Sequence, residues 1–209
     1  MKFKEFLNFI RSKLEEKDSA REELLKLVRE MRINSTKAIS SIHSGNLEKA
    51  EMFLKNAVNI MKKIKDFRIY PDIYYPATFD AMQELVEAYV FIHVVKEGNL
   101  NFDLSELDLE FAPILTGLAD SVGEMRRYVL DLLRKKEFEK AENVMEIMEE
   151  IYNELVTFNF PNRITPNLRT KVDYIRSAIE KTKSDFISAK ASALSEDLKK
   201  FEDFLKMKR

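Results

Sequence analysis

The stretch FDAMQELVEAYVFIHVV, Phe79 to Val95, decides the fold. It reads as a helix with almost no side that water could wet. At 100° per residue Glu84 and Glu87 lie only about 60° apart, and Phe91, Val94 and Val95 continue their stripe one and two turns on. A carboxylate on such a strip is expensive to bury unless something pairs it. That partner has to come from elsewhere in the chain.

The composition limits what the partner is. The chain has 209 residues, 45% hydrophobic and 34% charged, enough for one sizeable core. Four glycines and five prolines leave little material for turns, so an all-α single domain spanning 1–209 is expected. Zero cysteines and two histidines exclude the common zinc sites and any cysteine nucleophile. Any bound metal must then be hard and held by oxygen, Mg or Mn. No apolar run is long enough to span a bilayer, and MKFKEFLNFIRSKLEEK lacks the apolar core of a signal peptide. A cytoplasmic protein with no membrane partner is expected.

The periodicity predicts about seven helices. They cover residues 3–17, 20–43, 47–65, 77–96, 111–135, 137–156 and 167–207, with a break considered near Ser192–Ser195. Asp18 or Ser19 is expected to cap the second helix. RIYPDIYYP (68–76) and FNFPNRITP (158–166) read as proline-bounded loops, and NLNFDLSELDL as an acidic irregular segment with room for one helical turn. GNLEKAEMFLKNA looks like half a tetratricopeptide unit, but no period near 34 residues repeats it, so a solenoid is not expected.

Charge is distributed unevenly. Residues 1–66 hold fifteen cations and ten anions (+5), residues 80–124 one cation against ten anions (−9), and residues 125–209 eighteen against fifteen (+3). An acidic middle between basic arms suits a metal-dependent enzyme acting on a polyanion; acidic and basic helices that simply pair with each other give the same pattern. GLADSVGEMRRYVLDLL, Gly117 to Leu133, supplies Asp120 and Glu124 one turn apart, with Arg127 and Asp131 on the same stripe. Alone, such a stripe is an ordinary salt-bridged face. Opposite Glu84 and Glu87, which have no polar face of their own, it builds an oxygen-rich cage suited to a divalent ion.

Three blocks carry a family resemblance. QELVEAYVFIH, Gln83 to His93, resembles the QEYVEA…F.H segment of the translin superfamily. GLADSVGEMRR, Gly117 to Arg127, resembles the G-x-AD-x-x-GEL-x-R segment of translin-associated factor X, and KLVREMRINSTKAISSIH, Lys26 to His43, is similar to the family's arginine-bearing helix ending in histidine. Their order and distances fit, over roughly residues 18–185. The resemblance implies a translin-like helical fold in a hollow homo-oligomer, typically an octamer, with RNA or single-stranded DNA inside. It further implies Mg-dependent endoribonuclease activity of the factor X type, with Glu84, Glu87, Asp120 and Glu124 as metal-binding and catalytic acids. A further acidic position of that motif is Ala81 here, and Asp80 is about 100° off the stripe. The competing functions are a translin-like nucleic-acid-binding protein without catalysis and a helical protein-interaction scaffold.

Arg21, Arg29, Arg32 and Lys37 on the second helix are the expected RNA contacts, with a solvated face as the alternative. Arg127 is expected either to hold a phosphate oxygen or to pair with Glu124 or Asp131. Tyr70, Tyr74 and Tyr75 have stacking and packing as competing roles. His43 and His93 read as structural.

Overall fold

A computed structural model describes residues 2–207. Among these the chain forms six α-helices, two short 3-10 turns and no strand. The all-helical expectation holds; the count differs by one because the first two predicted helices are a single rod. α1 runs unbroken from Phe3 to His43. Asp18 and Ser19 do not interrupt it because no glycine or proline accompanies them, and the Ser19 hydroxyl donates to the Glu15 carbonyl of its own helix instead of capping a new one.

α2 spans Leu47–Ile64, with the Asn46 side chain accepting from the Lys49 N–H. α3 spans Pro71–Glu97 and corrects the reading of RIYPDIYYP as a loop. Residues 65–69 form a 3-10 turn, and Pro71 opens the helix where a missing N–H costs nothing. Pro76 lies inside α3, but Tyr74 beside it is fully buried and its hydroxyl accepts a 3.3 Å hydrogen bond from Arg68 Nε. Tertiary burial outweighs the local proline signal there. Arg68 also donates to the Asp108 carbonyl and carboxylate, clamping the irregular 98–110 segment with its one 3-10 turn at Leu104–Leu107.

α4 (Phe111–Arg134), α5 (Phe138–Leu155) and α6 (Leu168–Met207) complete the chain, and α6 is continuous through Ser192–Ser195. α1 packs on α2 and α3, α3 on α4, and α4 on both α5 and α6. One hydrophobic cluster joins all six helices, with Leu24, Met31, Met61, Met82, Leu85, Phe91, Met125 and Met148 among its most buried side chains. No helix among the described residues is long and apolar enough to cross a membrane. Two helix ends overhang this core: Phe3, Phe6, Leu7, Ile10 and Leu14 on α1, and Leu194, Leu198, Phe201 and Leu205 on α6, are all exposed. The α1 overhang is tied down at its base, where Lys17 pairs with Asp72 and Tyr70 donates to Glu16.

Gly117 sets the spacing of the α3–α4 pair. A Cβ there would lie 2.6 Å from the Gln83 carbonyl oxygen and 2.7 Å from Val86 Cβ, so the two helices touch through backbone. Gly123, on the same helix, has nothing within 4 Å of its Cβ position. Gly117→Ala is therefore expected to destabilise by about 1–3 kcal/mol despite alanine's better helix propensity. Gly123→Ala is expected to be neutral or stabilising by up to about 1 kcal/mol. Equal effects of the two substitutions in urea unfolding would contradict this close approach.

Candidate metal and nucleic-acid site

The backbone contact at Gly117 brings one strip of α3 against one strip of α4. Glu84 and Glu87 from α3 and Asp120 and Glu124 from α4 line a single cleft of about 530 Å³. α1 supplies Thr36 and Ser40 to its wall, and Arg127 stands at its edge. The four acids picked out in the sequence thus converge, on two helices, as expected.

Three of the four are turned to nitrogen donors of the protein. Glu84 Oε1 accepts two hydrogen bonds from Arg32, at 2.9 Å from Nε and 2.5 Å from Nη2, and Thr36 donates to Oε2 at 3.2 Å. Asp120 Oδ1 pairs with Lys171 Nζ of α6 at 2.5 Å. Glu124 Oε2 lies 2.5 Å from His43 Nε2 and 4.0 Å from Arg127. Glu87 makes no ion pair or hydrogen bond among the described residues. In this arrangement no three acids or imidazoles among the described residues close on one point as a metal cage. Like charges with nothing between them relax onto the nearest cations.

The electrostatics follow from those partners. Burial pushes the Glu87 carboxyl up to about 8, the charges of Asp120, Glu124 and Glu84 push it the same way, and Lys171 offsets a part. Glu124 moves in the opposite direction, held below the usual carboxylate range chiefly by its hydrogen bond with His43. The donor set is hard and anionic, with one acid left unpaired at its centre. It fits a small divalent ion held by oxygen and fits no soft metal.

The basic residues separate. Arg32 is committed to Glu84, and Arg127, two-thirds exposed, sits at the cleft edge. Arg21 and Arg29 lie on the same side of α1 as Arg32, within an arc of about 80°, but Arg21 pairs with Glu22 and neither reaches the acids. Lys37 points away, over the Phe53 ring of α2 at 5.5 Å. Tyr74 is buried and Tyr70 is bonded to Glu16, so of the three loop tyrosines only Tyr75 is exposed. His93 packs edge-on against Phe102 and reaches Asn99 at 3.3 Å, the structural role expected of it. Sequence reasoning missed Lys171, which sits alone in RTKVDY with no local pattern, and the reach of His43 into the cleft.

The Translin family model matches residues 19–205, and the chain belongs to the Translin family. A crystal structure of AfC3PO superposes with a TM-score of 0.86 at 47% identity, covering 90% of this chain and 98% of that one. AfC3PO in complex with duplex RNA gives 0.85 at the same identity and coverage. Apo-NeC3PO, at 24% identity and a TM-score of 0.79 over 88% of this chain and 96% of that one, shares the fold. An uncharacterized protein of Methanocaldococcus jannaschii is 32% identical over 185 residues, 87% of this chain and 82% of its own length.

Glu87 links the cleft to stability. Its folded pKa, about 8, lies above the ordinary value of 4.5, so it stabilises fully below pH 4.5 and that contribution is lost as pH rises through 8. Without divalent ions, Glu87→Gln should melt close to wild type at pH 5 and higher than wild type at pH 8.5, by roughly 5 °C or more. Parallel melting curves across that range would mean Glu87 is not the strained group of the cleft.

Proposed function

We propose that this chain is a metal-dependent endoribonuclease of the translin-associated factor X type, with Mg or Mn held by Glu84, Glu87, Asp120 and Glu124. The observation that carries this function is the convergence of four acids on one cleft with Glu87 left unpaired among them. When bound, a divalent ion supplies Lewis acidity, activating water and offsetting charge on the phosphoryl group. Glu87 would hold the ion as a carboxylate, its proton passing to solvent, and Glu84 and Asp120 would hold it in place of Arg32 and Lys171. Arg32 and Lys171, so freed, would face the RNA backbone with Arg127 at the cleft edge, and Arg29 and Arg21 would extend the track along α1. Binding of RNA is supported by the 47% identity to AfC3PO, solved with duplex RNA; single-stranded DNA is a second ligand to assay.

Self-assembly, to an octamer on the family resemblance, is supported by the two overhanging helix ends, whose apolar stripes the monomer leaves exposed. An RNA-binding protein of the same fold without turnover is the competing function. It is favoured by the ion pairs that already satisfy Glu84 and Asp120.

Cleavage assays on RNA with Mg, Mn or EDTA separate the two. Glu87→Gln and Asp120→Asn are expected to abolish divalent-dependent cleavage and to leave RNA affinity within a few-fold of wild type. Arg127→Ala is expected to weaken binding uniformly across sequences and to lower the salt slope by about 1. Undiminished cleavage in both acid variants, or binding with no cleavage by wild type in any metal, contradicts the nuclease.

A further inference from the structure

His43 is the described residue whose burial leaves a side-chain polar atom unmatched: its Nδ1 is enclosed with no hydrogen-bond partner. The side chain is 6% exposed, and its other nitrogen, Nε2, stands 2.5 Å from Glu124 Oε2. The ring lies on Phe91 with centroids 5.1 Å apart, and Phe91, fully buried, meets Tyr128 edge-on at 6.0 Å. Apolar packing therefore fixes the plane of the imidazole.

That enclosure selects a tautomer. A hydrogen on Nδ1 would be buried with no acceptor, whereas a bare ring nitrogen loses less by going unmatched. The hydrogen then sits on Nε2, aimed at Glu124. His43 is also the last residue of α1, so the contact fastens that helix end to the middle of α4.

We infer that His43 is a positioning residue of the cleft, its Nε2–H pinning Oε2 of Glu124 and leaving Oε1 as the oxygen offered to a hard divalent cation. The cation's place in this rests on the nuclease function proposed above; the His43–Glu124 clamp does not. The clamp also accounts for the opposite behaviour of two acids in one cleft. The His43 donor holds the Glu124 carboxyl below the usual carboxylate range, while burial first, and the neighbouring acids second, push that of Glu87, which has no donor, up. A histidine that orients a carboxylate ligand acts as outer-shell partners of metal sites do, through the ligand and without touching the ion.

Two measurements on the full-length assembled protein test it. Labelling with 15N-histidine gives two rings, His43 and His93, which a His93→Gln variant assigns. In metal-free protein the His43 Nε2 resonance is expected to be that of a protonated nitrogen and Nδ1 that of a bare one, and Glu124→Gln should shift Nε2. Manganese titration followed by electron paramagnetic resonance, without RNA, reads the second consequence. His43→Leu should weaken Mn binding roughly 10-fold or more, and His43→Gln, which keeps an N–H donor at similar reach, should recover most of the loss.

A bare Nε2 with the hydrogen on Nδ1, or an Nε2 signal indifferent to Glu124→Gln, overturns the clamp. Wild-type Mn affinity in His43→Leu, or a His43→Gln as weak as His43→Leu, overturns the positioning role. If His43→Leu fails to fold, His43→Gln and the spectrum decide. The expected spectrum in a wild type that binds no Mn upholds the clamp and removes the metal from the cleft.

Discussion

Two helices in backbone contact hold four carboxylates within one cleft, and their mutual repulsion shapes everything around them. The contact exists because residue 117 is glycine: a Cβ there would collide with the Gln83 carbonyl and Val86. Wider separation would let water in between α3 and α4 and relieve the charge. The apolar packing of Leu85, Val86, Val122 and Met125 prevents it. A site that concentrates anions beside a dry core is costly unless cations reach it.

The protein's own nitrogen donors meet most of that requirement, two of them cations and one the His43 ring N–H, and they come from three places along the chain. Arg32 arrives from the middle of α1, His43 from its end and Lys171 from the start of α6. The basic flanks thus pair with the acidic middle, and they also surround an anionic cleft. Glu87, the deepest acid, is the one they leave out, and protonation is its substitute for a partner. The number of charges is close to balance at the level of the chain and unbalanced at one carboxylate.

Much of this was legible in the residues. Phe79–Val95, apolar on nearly every side, could only be a central helix, and α3 is in contact with α1, α2 and α4. The i, i+3 pair Glu84/Glu87 and the i, i+4 pair Asp120/Glu124 were bound to share faces by helix period alone. Long-range pairing was not legible: nothing local in RTKVDY marks Lys171 as the partner of an acid 51 positions away. Boundary errors had the same origin. Pro71 and Pro76 read as loop until the burial of Tyr74 and its bond with Arg68 are known, and Asp18–Ser19 read as a cap although the helix on either side simply continues. Helix period puts Arg21 and Arg29 on the Arg32 side of α1, but the contact of Lys37 with the Phe53 ring of α2 is long-range and has no local mark.

Anomalous diffraction from crystals soaked in Mn, at a pH near 8 where Glu87 titrates, tests the central claim most directly. A peak between α3 and α4 within coordination distance of Glu87 and at least two of Glu84, Asp120 and Glu124, with Lys171 or Arg32 displaced, is expected. A cleft that stays empty of Mn, with the Arg32–Glu84 and Lys171–Asp120 pairs intact, would contradict it.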